Sequence, residues 1–177
     1  EFKIKVIGHL QTPGLYTATS ISRVSDIYET VLEKHKEQMR LKNPQINTNT
    51  SGFQDLSRRN IDIIREGDTL KIDLVKFGTT GDDQYNPFIQ QGDMVVIPIK
   101  QHMTNIFGGI KIPGEYEYVQ GESLYEFINL AGGLRPDADP SKIEITRFET
   151  FTKKYTFFID YKDAKNIDIE PEDHIMV

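Results

Sequence analysis

The chain repeats itself, and the repeat constrains the fold more than any other feature. Val6-Ile7-Gly8-His9-Leu10-Gln11-Thr12-Pro13-Gly14-Leu15-Tyr16 lines up without a gap on Ile106-Phe107-Gly108-Gly109-Ile110-Lys111-Ile112-Pro113-Gly114-Glu115-Tyr116. Gly8 falls on Gly108, Pro13 on Pro113, Gly14 on Gly114 and Tyr16 on Tyr116, at a constant spacing of 100 residues. The same spacing carries Val24, Ile27, Tyr28 and Val31 onto Leu124, Phe127, Ile128 and Ala131. Later segments match in the same order at shorter spacings, 61–65 on 143–147 and 86–96 on 166–176. The first copy therefore carries about twenty extra residues in its middle. Self-similarity of this kind marks one structural unit built twice. It divides the chain into modules at 1–100 and 104–177.

Each copy opens on a hairpin. Pro13-Gly14 and Pro113-Gly114 suit the centre of a type II turn, because proline fixes φ and glycine tolerates a positive one. Gly8 and Gly108 sit at strand positions where glycine marks a bulge or a close backbone approach. A helix follows. Ser123 and Glu126 have the spacing of a capping box, and Leu124, Phe127, Ile128 and Ala131 form one apolar face that Gly132-Gly133 stops. In the first copy Val24, Ile27, Tyr28, Val31 and Leu32 make the same stripe. No glycine ends that helix, which is expected to run on until Asn43-Pro44, since the residue before proline disfavours helix. Residues 45–57 are polar and read as a loop. Three strands should close each module: 61–65, 70–75 and 94–98 in the first, 143–148, 155–160 and 174–177 in the second. Glu66-Gly67-Asp68 reads as a hairpin turn. A hairpin, one packed helix and three further strands amount to an α+β arrangement, two tandem β-grasp modules, each a mixed sheet with one helix on it.

These residues resemble the SLBB (soluble-ligand-binding β-grasp) family. The second copy supplies Gly108, Pro113-Gly114-Glu115-Tyr116, Ala131-Gly132-Gly133, Arg147 and Glu172-Asp173-His174-Ile175, with Glu172 where the family has glycine. The first supplies Gly8, Pro13-Gly14-Leu15-Tyr16, Arg65 and Gly92-Asp93-Met94-Val95, with a longer helix in place of Ala-Gly-Gly. The resemblance implies a module of a bacterial polysaccharide (capsule or exopolysaccharide) exporter, periplasmic and tied to the outer membrane in the full-length protein. There it would act as a homo-oligomeric scaffold or glycan-binding segment. The alternative is a small-ligand protein that takes a glycan or cofactor in a cleft between the modules.

The side chains suggest binding rather than catalysis. Gly78-Thr79-Thr80-Gly81-Asp82-Asp83 lacks the Gly-Lys-Ser/Thr of a phosphate loop and reads as a turn. Counted as a calcium loop from Asp137, position six is Lys142 and position twelve Phe148, against the glycine and glutamate required. His9, His35, His102 and His174 are scattered without metal-ligand spacing, and no Gly-x-Ser-x-Gly elbow occurs. No catalytic residue, metal site or cofactor is expected. Tyr16, Tyr116 and Tyr118 follow the Pro-Gly pairs and offer an apolar ring with a polar tip, suited to a partly wet contact with a sugar face; the alternative is that Tyr16 and Tyr116 pack under the helix as core. Arg65 and Arg147 offer planar donors for an acidic sugar, or are exposed strand positions or ion-pair partners; Arg135, just after Gly132-Gly133, is a further candidate ligand contact. Residues 33–57, with their charged helix extension, are the expected place for a specialised contact.

A net charge of −6 and the lack of cysteine point away from nucleic acid and exclude disulfides and thiolate chemistry. No apolar run is long enough for a membrane span. The strand-like ends, from Phe2 and up to Val177, suggest a piece of a longer protein whose targeting segment lies elsewhere.

Overall fold

The computed structural model describes residues 1–45, 56–150 and 152–177. The chain divides into two compact units, Glu1–Lys100 and Gln101–Val177.

In the first unit β1 (Phe2–Gly8) and β2 (Gly14–Ala18) form an antiparallel hairpin. Helix α1 (Val24–Lys42) follows, then the antiparallel pair β3 (Ile61–Arg65) and β4 (Asp68–Ile72). A short helix α2 (Leu74–Thr80) precedes β5 (Met94–Ile97). Strand β5 slots between β1 and β3, parallel to β1 and antiparallel to β3, so the sheet order is β2-β1-β5-β3-β4. Alternation along the strands sends Ile4, Val6, Tyr16, Ala18, Ile61, Ile63, Val95 and Ile97 to one face. Val24, Ile27, Tyr28 and Val31 of α1 cover that face at helical spacing. Burying each of these side chains contributes roughly 1.5–3 kcal/mol, which holds the helix on the sheet.

The second unit repeats this plan. Its strands are β6 (Met103–Phe107), β7 (Gly114–Glu117), β8 (Ile143–Phe148), β9 (Lys154–Ile159) and β10 (His174–Met176), in the order β7-β6-β10-β8-β9. Again the central pair, β6 and β10, is parallel. Helix α3 (Leu124–Leu130) starts at the expected capping box: the Glu126 carboxylate accepts the Ser123 N–H, and Ser123 Oγ accepts the Glu126 N–H. Its Phe127 ring meets Tyr116 of β7 edge-on at 5.6 Å. The α+β fold of two mixed five-stranded sheets, each with a packed helix, is the one the sequence predicts.

Gly8 and Gly108 explain themselves. A Cβ built on Gly8 would lie 2.0 Å from the Ile97 carbonyl oxygen, and one on Gly108 would lie 2.2 Å from that of Val177. Each marks where the backbone at the end of the central strand crosses the end of the hairpin strand. The Glu66-Gly67 turn also appears as expected. Both residues have positive φ, 52° and 97°, the combination that a two-residue type I′ hairpin requires.

Three expectations need correction. Pro13-Gly14 and Pro113-Gly114 do not centre a type II turn. Both glycines begin strands, Gly14 at φ 149° and Gly114 outside the positive-φ range; the longer loops 9–13 and 108–113 make the reversals. The strand at 70–75 stops at Ile72, and Val75 lies in α2, because Asp73 caps that helix by accepting the N–H groups of Val75 and Lys76. The turn at 78–83 is the end of the same helix, closed by Gly81 in the left-handed conformation at φ 70°. Of the loop at 45–57, residues 46–55 lie outside the described residues.

Candidate functional site

The tyrosines that follow the Pro-Gly pairs hold the hairpins together. Tyr16 is buried and its hydroxyl donates to the Thr12 carbonyl at 2.7 Å. Tyr116 does the same to Ile112 at 2.8 Å. The two bonds occupy equivalent positions in the repeat, so this tyrosine ties its own loop across four residues. Lys34 stands over the Tyr16 ring at 4.7 Å.

Arg65 and Arg147 hold the closing strands. On β3, Arg65 Nε and Nη2 donate to both carboxylate oxygens of Asp93 at 2.8 Å, and Nη2 also donates to the Phe88 carbonyl. On β8, Arg147 Nε and Nη2 reach Asp173 at 3.0 and 2.8 Å, Nη1 reaches Glu170 at 2.6 Å, and Nη2 also reaches the Asp168 carbonyl. Asp93 and Asp173 are buried. Each also accepts a backbone N–H three residues back, from Gln90 and Glu170. The charge-assisted bonds to these carboxylates raise both arginine pKa values above the usual one. The arrangement fixes the turn that leads into the central strand. Arg135 instead pairs with Asp137 at the surface.

The turn held by Arg147 carries the best candidate for contact with a ligand. It presents Pro171 and Glu172 to an open cleft of about 810 Å³, lined also by His102, Phe148, Thr150 and His174. Phe148 ends β8 and His174 begins the neighbouring β10; their rings meet edge-on at 5.7 Å. His102, just before β6, brings Nδ1 within 3.4 Å of Glu172 Oε1. Glu172 holds a φ of 64°, and its N–H donates to the Met103 carbonyl. With Pro171 before it, this is the type II pattern, whose third position normally takes glycine. Gly92, at the equivalent place in the first module, has a φ of 94°. A glutamate kept in a conformation that glycine adopts freely is strain of the kind that collects at functional positions.

Tyr118 borders the same turn. Burial first, then the carboxylates of Glu170, Asp168 and Asp173, push its hydroxyl pKa up, against the pull of Arg147. The structure thus brings Tyr118 and Arg147 together, and leaves Tyr16, Tyr116, Arg65 and Arg135 elsewhere. None of the six cleft residues is a ligand-binding candidate from sequence, although Glu172 stands out there as a departure from the family's glycine. One signal was available: at the repeat spacings Phe148, Glu172 and His174 stand over Glu66, Gly92 and Met94. The cleft is therefore built from positions where the copies differ.

A family model for the SLBB domain matches residues 103–157. The second module is an SLBB domain. No curated protein matches the chain. The match takes in β6, β7, α3, β8 and the start of β9. Within it, Gly132 and Gly133 take left-handed φ values of 84° and 83°. This turns the chain at the end of α3 so that the Ala131 and Gly133 carbonyls accept the N–H groups of Ile112 and Lys111. Ala-Gly-Gly in this SLBB module is thus the dock for its hairpin loop. The cleft lies at the opposite structural feature, the closing turn. It offers an aromatic ring, a carboxylate and two imidazoles, groups that bind a hydroxylated ligand by stacking and hydrogen bonds. Among the described residues no three His, Asp or Glu side chains gather to hold a metal ion.

Proposed function

We propose that this chain is the SLBB portion of a bacterial polysaccharide export protein, a non-enzymatic pair of modules that scaffolds a periplasmic homo-oligomer and touches the glycan. The observation that carries the reading is the SLBB match in a chain whose two units share one strand order. The fold alone does not set a function, so the weight falls on the site. The cleft at the closing turn is shallow and open, with Phe148 half exposed. That form suits transient contact with a long polymer better than enclosure of a small molecule. Its carboxylate and imidazoles satisfy hydroxyl groups, and its ring meets the apolar face of a pyranose.

The test is genetic. In the source organism, the full-length gene is replaced by one lacking the coding sequence of this chain, and surface polysaccharide is quantified. Loss of surface polymer, with the rest of the protein still present by immunoblot, is the expected result. Unchanged surface polymer would overturn the proposal.

A further inference from the structure

The two modules solve one problem differently. In the second, the Lys111 N–H of the β6–β7 loop donates to the Gly133 carbonyl at 3.1 Å. In the first, α1 continues where Gly-Gly would stop it, so that carbonyl is missing. The equivalent loop N–H, that of Gln11, instead donates to Nδ1 of His35 at 3.1 Å. His35 lies one turn beyond Val31 on the core face of α1 and is buried. A side chain has replaced a backbone acceptor, and the two differ in one respect. A peptide carbonyl accepts at any pH, whereas an imidazole nitrogen accepts only while unprotonated.

We propose that His35 makes the first module acid-sensitive: a proton on Nδ1 turns the acceptor into a donor facing the Gln11 N–H and breaks this tie between the β1–β2 loop and α1. The second module, with a carbonyl in the same role, stays closed.

Burial favours the neutral ring. On the loop side Gln11 and Thr12 are uncharged, and His9 is exposed. On the helix side the two charged groups engaged with the same hairpin are cations: Lys42 donates to Gln11 Oε1, and Lys34 covers Tyr16. Glu33 and Glu37 of α1 are exposed to solvent. Burial holds the imidazole below its ordinary pKa of 6.5. Because the folded value lies below the unfolded one, the contact contributes its full stability above about pH 6.5 and loses it as the pH falls from there towards the folded value. A periplasmic protein would meet such changes, since small solutes and protons cross the outer membrane.

The experiment uses the intact chain and carries its own control. Amide hydrogen exchange is read by NMR at Gln11 and Lys111 between about pH 7.5 and about pH 5, as protection relative to the intrinsic rate at each pH. The His35 ring signals are followed in the same samples. Protection at Gln11 should fall roughly fivefold or more, the factor an ordinary hydrogen bond carries, in step with His35 titration, while Lys111 keeps its protection. His35→Gln supplies an amide acceptor that does not titrate, and should make Gln11 protection independent of pH. Three results would each overturn the inference: constant Gln11 protection while His35 titrates, a parallel fall at both amides, or no His35 titration before the chain unfolds. None depends on whether the protein serves polysaccharide export.

Discussion

Asp173→Ala should unfold the second module far more readily than its single lost carboxylate suggests. The side chain is fully buried and accepts three bonds: Arg147 Nε at 3.0 Å, Arg147 Nη2 at 2.8 Å and the Glu170 N–H at 2.9 Å. Its loss leaves the Nε and Nη2 groups of Arg147, whose side chain is only 11% exposed, without their buried carboxylate acceptor. Removing one partner of a buried pair costs about 3–5 kcal/mol. Arg147 retains Glu170 Oε1 and the Asp168 carbonyl, which places the loss near the lower end, about 3 kcal/mol. A module of this size has on the order of 4–12 kcal/mol in total. Urea denaturation followed by NMR, with resonances assigned to each module, separates its transition from that of the first. Asp173→Asn should cost less, because the amide oxygen still accepts the Glu170 N–H. A loss below about 1 kcal/mol for Asp173→Ala would refute the reasoning, and would return Arg147 to the role of a free ligand-binding cation.

Further expectations follow from the backbone. Gly8→Ala should destabilise the first module by about 2–4 kcal/mol, since its methyl would meet the Ile97 carbonyl in a positive-φ position; Gly78→Ala, in open space on α2, should stabilise by about 0.5–1 kcal/mol. Glu172→Gly should relieve its left-handed φ and stabilise the second module by about 1 kcal/mol, measured by the same denaturation. Equal or lower stability for that variant would show that the His102 contact or other packing outweighs the strain.

Much of the fold was legible because the local signals agree with the tertiary structure. The alternation of Ile61-Asp62-Ile63 puts both isoleucines in the core. Ser123 and Glu126 form the capping box that their spacing implies. Asn43-Pro44 ends α1 where proline should. Helix α2 was hidden because Leu70-Lys71-Ile72-Asp73-Leu74-Val75 alternates like a longer strand. Its cap residues, Asp73 and Gly81, were the only marks against that reading. The Pro-Gly pairs misled in a different way. Local turn propensity yielded to the strand pairing of Gly14 with Val6 and Gly114 with Ile106. The charged partners of Arg65 and Arg147 were invisible for lack of distance information, although Asp93 and Asp173 were in plain sight as motif residues. The cleft is assembled from His102, Phe148, Glu172 and His174, far apart in sequence and joined only when β10 enters between β6 and β8. No one-dimensional spacing encodes that meeting.

The central claim, that the second module handles a glycan at its closing turn, is tested most directly in the full-length protein. Phe148→Ala and His174→Ala remove the ring pair from the cleft without touching the core or the Arg147–Asp173 tie. Surface polysaccharide is measured in cells carrying the double variant at wild-type protein level, with the isolated chain checked for an unchanged denaturation midpoint. Surface polymer reduced several-fold in cells whose variant chain folds normally is the expected result. Wild-type surface polymer from the same folded variant would contradict the claim.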